Sequence, residues 1–217
     1  MAAQEDSMAR STKIEAQETR NRILDAAERV FHEQGVSRTS LEQVALAAQV
    51  TRGAIYWHFK NKGDLFDAMS QRVKLPMEAM VEASGDASEP DPLGNLRTTL
   101  IFVLQETALN PQSRLVFDII FLKCELVDAT DTLWVRRQEG ARKAQANFER
   151  IMGNAVSKSQ LPADLDVPLA ASALRAMIGG LINNWLFTPA QFDLAKDAPR
   201  LVDGVLDMVR YAGAMRG

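Results

Sequence analysis

Three features of this 217-residue sequence predict an all-α protein. Apolar residues recur at i, i+4, i+7 and i+8 along most of the chain, few stretches alternate with the two-residue period of a half-buried strand, and the helical segments are separated by capping residues, Gly and Pro. A hydrophobic content of 47% supplies enough apolar surface for a sizeable core. The punctuation yields about nine helices, arranged as an N-terminal three-helix head, a fourth helix leaving it, and a larger helical body.

The first helix carries the stripe Ile23, Ala27, Val30 and Phe31 and stops at Gly35, where a left-handed residue is wanted just past a helix end. The second starts in RTSLEQVALAA. Thr39 has Glu42 and Ser40 has Gln43 three residues on, so either can cap it, and the helix runs to about Ala48. The third has Thr51 as its cap, with Val50 and Ile55 at the spacing of a hydrophobic staple that fixes how the chain enters. Asn61 caps the fourth, and Asp64 puts a negative charge in its first turn, which suits the helix dipole. Three helices thus fit between Glu15 and Phe59, with a tight turn between the second and third: a helix-turn-helix. The small, acidic run SGDASEPDP, Ser84 to Pro92, reads as a loop. Five further helical segments follow near 93–109, 112–126, 130–157, 166–187 and 197–213, divided at Asn110-Pro111, Leu161-Pro162 and Thr188-Pro189. The domain organisation expected is an arm over 1–14, a helix-turn-helix domain over 15–75 and a body over 76–217.

The totals exclude several classes. A net charge of −3 argues against a protein that coats nucleic acid over its whole surface. The charge is uneven, however: residues 10–74 hold eleven Lys and Arg against eight Asp and Glu, whereas residues 75–217 hold fourteen against eighteen. A mildly basic head on an acidic body suits a local phosphate-binding face. Cys124 is the one cysteine, so no internal disulfide forms and a reducing compartment is expected. MAAQEDSMARSTK lacks the apolar run of a secretory signal, and LVFDIIFL, Leu115 to Leu122, is too short to span a bilayer, so cytoplasm is the expected location. Arg29 and Ile55 stand three residues before the two histidines, His32 and His58, which removes the Glu-x-x-His pairs of a di-iron bundle. Two histidines and one cysteine are too few for an ordinary zinc site, and neither a Gly-rich phosphate loop nor a nucleophile elbow is present. No enzyme, metal or cofactor is expected.

The third helix carries the chemistry. It lies in VTRGAIYWHFKNKGDLF, Val50 to Phe66, and is too short to be stable alone, since isolated helices under ~12 residues are marginal in water. Ile55 and Phe59, four apart, share a face that suits the core, leaving Arg52, Gly53, Tyr56 and Trp57 pointing elsewhere. That outward composition fits a DNA groove. Arg52 has the reach for a base edge or phosphate, and Gly53 lets the backbone come close. Thr51 and the first-turn amides suit a phosphate at the positive helix end. Tyr56 and His58 offer hydrogen-bond donors, and Lys62 adds a point charge. For Trp57 the pattern leaves two readings open, cover over the fourth helix or contact with a sugar-phosphate.

The stretch TSLEQVALAAQVTRGAIYWHFKNKGDLF closely resembles the helix-turn-helix of the tetracycline-repressor (TetR) family, in which Y-x-H-F-x-x-K closes the recognition helix and opens helix four. The resemblance covers residues 15–70 and continues more weakly through EPDPLGNLR, FLKCELVD and GLINNWLF, which look like the branch that represses multidrug efflux operons. It implies DNA contacts from Thr51, Arg52, Gly53, Tyr56, Trp57, His58 and Lys62, with Thr39 and Ser40 on phosphate. One departure is Gln49, where the family commonly has glycine; either Gln49 takes a left-handed backbone at a cost of ~1 kcal/mol or the turn differs slightly in geometry. A start at Met8 would match the usual family length, leaving Arg10 and Lys13 in a basic arm or a solvated tail.

In the body, Phe117, Ile120, Phe121 and Cys124 share a face of one helix, and Phe148, Ile151 and Met152 a face of the next; Leu100, Val103 and Leu104 precede them and Ile178 follows. These residues are candidates to line a cavity for a hydrophobic ligand, with Asn147, Asp118 and Arg175 as orienting polar groups; a filled core is the other reading. One recognition helix contacts too few bases for useful specificity, so such proteins usually bind as two-fold dimers. Candidate interface residues are Ala170, Ala173, Met177, Gly180, Leu181 and Trp185, then Leu201, Val205, Met208 and Val209, and the resemblance favours a homodimer over ordinary packing. Together the resemblance implies a repressor of a multidrug efflux operon, released from a palindromic operator by a small hydrophobic or aromatic effector; a shift of helix four, to which the head is attached, is the expected link. Two alternatives stay open: a helical small-molecule carrier or sensor that binds no DNA, and a ligand-dependent activator.

Overall fold

The computed structural model describes residues 2–125 and 132–217, with residues 2–12 and 132 described as backbone alone. Among these residues the chain forms α1 (Ala2–Gln34), α2 (Leu41–Ala47), α3 (Arg52–His58), α4 (Lys62–Ser84), α5 (Pro92–Leu109), α6 (Pro111–Leu122), α7 (Thr132–Ser157), α8 (Val167–Phe187), α9 (Leu194–Tyr211) and a closing 3₁₀ turn, Gly213–Met215. The all-α expectation holds, and among the described residues no helix is long and apolar enough to cross a membrane.

The head packs Ile23, Leu24, Ala27 and Phe31 of α1 against Leu41 and Val44 of α2, Ile55 of α3, and Leu65, Phe66 and Met69 of α4, all buried. The Phe31 and Phe66 rings meet at 6.3 Å between centroids, tilted by 56°. Gly35 ends the first run with φ 81, its N–H donating to the Phe31 carbonyl at 2.9 Å, the left-handed stop that the sequence predicts. In the body, α5 is the central helix, touching α4, α6, α7, α8 and α9. Leu96, Leu100 and Leu104 of α5 are buried, as are Val202, Val205 and Val209 of α9, which packs on it. Arg97 grips Asp203 across that seam with two bonds, 2.5 and 2.9 Å. Pro199 interrupts the α9 ladder by lacking an N–H. The Ala195 carbonyl that would have paired with it accepts instead from the Gln105 side chain on α5, at 3.2 Å.

Three boundaries differ from expectation. Residues 2–14, read as an arm, continue α1, because a run rich in Ala, Gln, Glu and Met holds no Gly or Pro before Gly35 to stop a helix; the Arg10 side chain lies outside the described residues. The sixth helix stops at Leu122, not 126, with Lys123 as its cap. There the Lys123 carbonyl accepts from the Val36 N–H at 2.9 Å, so the chain turns to dock on the α1–α2 turn. α9 starts at Leu194 rather than 197, because the Asp193 side chain caps it by accepting from the Lys196 N–H at 3.1 Å. Residues 130 and 131, placed in the seventh segment, lie outside the described residues.

Candidate nucleic-acid interface

The α2–turn–α3 unit is held by local hydrogen bonds at every joint. Ser40 caps α2: its Oγ accepts from the Gln43 N–H at 3.2 Å while Gln43 Oε1 accepts from the Ser40 N–H at 2.8 Å, a complete capping box. Gln49 makes the turn with φ 54, the left-handed one of the two readings open for it, while its N–H donates to the Leu46 carbonyl at 3.1 Å and the Val50 N–H to that of Ala45 at 3.0 Å. Thr51 Oγ1 then accepts from the Ala54 N–H at 3.1 Å, capping α3. Val50 is half-buried against the head's core, and Ile55 is fully buried within it. Phe59, extended at φ −138, ends α3, and its buried ring lies 5.3 Å from the Arg20 guanidinium. The Asn61 side chain caps α4, and Asp64 accepts from the Lys60 N–H at 3.1 Å.

One face of this short helix is therefore committed to the core and the other to solvent. Thr51, Arg52 and Gly53 are exposed, Tyr56 is 41% exposed and Trp57 74% exposed. That exposure puts Trp57 in solvent rather than over α4; its ring meets His58 edge-on at 4.5 Å. His58 is half-buried, and burial, with the nearby Arg20 charge, lowers its pKa, so it stays neutral further into the acid range. Lys62 donates to the Ser37 carbonyl at 2.8 Å, which ties the start of α4 to the α1–α2 turn.

Thr39 is a correction. It is 3% exposed, and its hydroxyl donates to the Gly35 carbonyl at 2.8 Å, so it braces the turn and presents nothing to a phosphate; Ser40 beside it is exposed. Pattern reading also passed over Glu42, which faces the recognition helix: its Oε1 accepts from the Tyr56 hydroxyl at 2.9 Å and lies 3.4 Å from Arg52 Nη2. Arg52 in turn stands over the Tyr56 ring, 5.6 Å from its centroid. The signal available was register alone, since a helix-turn-helix sets the first turn of α2 beside that of α3.

The body meets the head at several points. Arg136 of α7 bonds Asp67 at 2.5 Å and also Asp64, both in the first two turns of α4. Arg72 of α4 bonds Asp25 and Glu28 of α1 at 2.6 and 2.9 Å, and Gln112 of α6 reaches the same Glu28 at 3.3 Å. Burial raises the Glu28 pKa, opposed by those two partners. His32 Nε2 of α1 approaches Asp118 Oδ2 of α6 at 3.2 Å, ion-pair distance without the alignment of a hydrogen bond.

Of the candidate cavity residues, Leu100, Leu104, Phe117, Ile120, Ile151 and Ile178 are buried in the core, with Val103, Phe121, Cys124 and Phe148 packed against it. Two of the three polar candidates are engaged by hydrogen bonds: Arg175 donates to Gln145 Oε1 at 2.8 Å, and Asn147 Oδ1 accepts from Arg150 at 3.3 Å. A crevice of about 310 Å³ opens instead at the junction of α1, α5, α6 and α8, lined by His32, Leu109, Arg114, Leu115, Asp118 and Leu186 among others, and shares only Asp118 with that set. Among the interface candidates, Met177 is exposed, and Ala173, Gly180, Leu181, Leu201 and Met208 are half-buried. Ala170, Trp185, Val205 and Val209 are corrections, buried in their own protomer, with the Arg114 guanidinium 4.9 Å over the Trp185 ring. Leu169 and Phe187, which the pattern did not select, are the exposed apolar residues near the two ends of α8.

This architecture has close relatives. Residues 23–69 match the family described as bacterial regulatory proteins, tetR family, and residues 91–211 match the C-terminal region of MAATS-type transcriptional repressors. The probable HTH-type transcriptional regulator ArpR of Pseudomonas putida is 42% identical over 209 residues, 96% of this chain and 100% of the relative. The HTH-type transcriptional regulator AcrR of Shigella flexneri is 42% identical over 214 residues, 96% of this chain and 97% of its own length. Two solved structures share the fold: NalD, the secondary repressor of the MexAB-OprM multidrug efflux pump in Pseudomonas aeruginosa, has a TM-score of 0.79 at 33% identity over 92% of this chain and 99% of its own. The SmeT–triclosan complex has a TM-score of 0.80 at 33% identity over 90% and 93%, SmeT being the repressor of the Stenotrophomonas maltophilia efflux pump SmeDEF. These relatives are transcriptional regulators, not enzymes. The chain, matched over both its head and its body, belongs to the tetR family of bacterial regulatory proteins.

Proposed function

We propose that this protein is a homodimeric, sequence-specific DNA-binding repressor of a multidrug efflux operon, acting in the cytoplasm and released from a palindromic operator by a small hydrophobic or aromatic effector. The observation that carries this is the solvent face of α3. A seven-residue helix held by Ile55 and its flanking caps presents Thr51, Arg52, Gly53, Tyr56 and Trp57 outward, and the contacts that Arg52 and Tyr56 make with Glu42 lie on that same solvent face rather than in the core. In the major groove such a helix reads base edges with Arg52 and backbone phosphates with Thr51 and Ser40. Two copies, joined through Met177, Gly180 and the other outward residues of α8 and α9, would set two recognition helices ~34–36 Å apart, one helical turn of DNA.

We place the effector in the apolar interior between α5, α6, α7 and α8; a solved relative in complex with triclosan supports an aromatic ligand. Entry there displaces packed side chains of α6 and α7. Arg136 passes that movement to Asp64 and Asp67 at the start of α4, and the Lys123 carbonyl passes it to Val36, beside α2. Coupling of ~1–3 kcal/mol would change operator affinity five- to 150-fold. The test is a gel shift with DNA from upstream of the protein's own gene, across salt and with candidate aromatic ligands. A specific complex that weakens steeply with salt and dissociates with one of the ligands is the expected result. No shift on that DNA would favour a carrier, and a complex that tightened with ligand would favour an activator or co-repressor.

A further inference from the structure

We propose that Glu42 is a specificity-determining residue of the recognition surface: it holds Arg52 and Tyr56 to itself and yields them to base edges more readily than to phosphates alone. The inference rests on the DNA-binding reading above and deepens it.

A carboxylate on a DNA-reading face needs a reason, because it repels the polyanion. Its place in the first turn of α2 suits the helix dipole, but the cap does not need it. The cap of α2 is made by Ser40 and Gln43, and the Glu42 side chain is 45% exposed. What it does instead is close a triangle on the outer surface: Tyr56 hydroxyl to Oε1 at 2.9 Å, Arg52 Nη2 to Oε1 at 3.4 Å, and the Arg52 guanidinium over the Tyr56 ring. Its own backbone N–H and the Tyr56 hydroxyl hold the Glu42 carboxyl below its ordinary range, and the bond to Glu42 pushes the phenol up, so the bond persists as phenol to carboxylate.

Consider the two kinds of DNA this surface meets. Non-operator DNA offers Arg52 and Tyr56 chiefly phosphates. Reaching them either brings the Glu42 charge up against the backbone or breaks both of its bonds and leaves that charge unscreened beside DNA. Operator DNA offers the guanidinium a bidentate base-edge acceptor in the major groove, the commonest specific contact arginine makes there. That contact replaces the Arg52 side of the Glu42 pair, and the freed carboxylate accepts from a cytosine N4 amine in the same groove, whereas a phosphate backbone offers it no donor. Discrimination then comes from a repulsive element as well as an attractive one.

The test compares full-length protein on the upstream fragment and on scrambled DNA of equal length by fluorescence anisotropy from 50 to 200 mM salt. Glu42→Gln keeps an acceptor for Tyr56 and removes the charge. It is expected to tighten binding to scrambled DNA roughly three- to tenfold with a salt slope steeper by about one, and to leave upstream-fragment affinity within about twofold, so that the ratio falls. In an Arg52→Ala background the same change is expected to move the ratio by less than about twofold. An unchanged ratio in the otherwise wild-type protein overturns the inference. So does an equal gain in the Arg52→Ala background, because Glu42 would then act as a bare charge. Wild-type protein that did not prefer the upstream fragment would overturn the repressor reading itself, and this inference with it.

Discussion

Gln49 offers the cleanest measurement of what the turn between α2 and α3 costs. It sits at φ 54, exposed, with no side-chain hydrogen bond among the described residues to stabilise that backbone. A left-handed residue carrying a Cβ costs about 1–2 kcal/mol, and glycine removes that cost while losing about 0.5–1 kcal/mol more chain entropy on folding. The balance favours Gln49→Gly by about 0.5–1 kcal/mol, or roughly 1–4 °C in melting temperature for a chain of this size. Gln49→Ala keeps the Cβ and is expected to be near neutral, whereas Gln49→Val adds β-branching at positive φ and is expected to lose more than about 1 kcal/mol. Ser159, at φ 59 after α7, is an independent copy of the experiment, and Ser159→Gly should add to Gln49→Gly because the two share no partner. Thermal and urea unfolding of the five variants reads all of this. If Gln49→Gly gains nothing and Gln49→Val loses nothing, the left-handed turn is not where strain lies and the helix-turn-helix geometry described above is wrong.

Three other outcomes are expected. Phe31→Ala removes a fully buried ring that touches Phe66 and should cost about 3–5 kcal/mol, read as a fall in urea midpoint. Lys74, in the middle of α4, has its pKa lowered by burial first and by the Arg137 charge second. Its folded pKa therefore lies below the unfolded value of about 10.4, so the charged amine destabilises the fold fully below the folded pKa, and that cost fades as pH rises through the interval. Lys74→Met should accordingly raise the melting temperature at neutral pH and gain progressively less toward pH 10; a gain that grew with pH would contradict the sign. Trp57→Ala should leave the melting temperature within about 1 °C, since the ring is in solvent, while weakening binding to the upstream fragment in the same gel shift; an unchanged gel shift would remove Trp57 from the interface.

What the sequence made legible is what is decided within about four residues. The caps at Thr51 and Asn61 and the glycine stop at Gly35 are local choices, and each stands where the pattern put it; Gln49 takes the left-handed one of the two readings its place in the turn allowed. Thr39 and Ser40 had equal claims by spacing; a hydroxyl bond from Thr39 back to Gly35 separated them. The end of α6 was illegible for a different reason. Nothing in FLKCE stops a helix, and the stop comes from Val36, far away in sequence, taking the Lys123 carbonyl.

The same limit governs function. An apolar stripe shows that a face is buried, not what buries it, so Trp185, Val205 and Val209 read as interface although the protomer's own core claims them, while Leu169 and Phe187 escaped notice. Candidate cavity residues are ambiguous in the same way, because lining and filling draw on one composition. Glu42 is the sharpest case. Two residues into α2 it looks like a favourable charge near the helix dipole. Only the crossing of two seven-residue helices brings it within 3.4 Å of Arg52 and gives a surface acid a bearing on which DNA is bound.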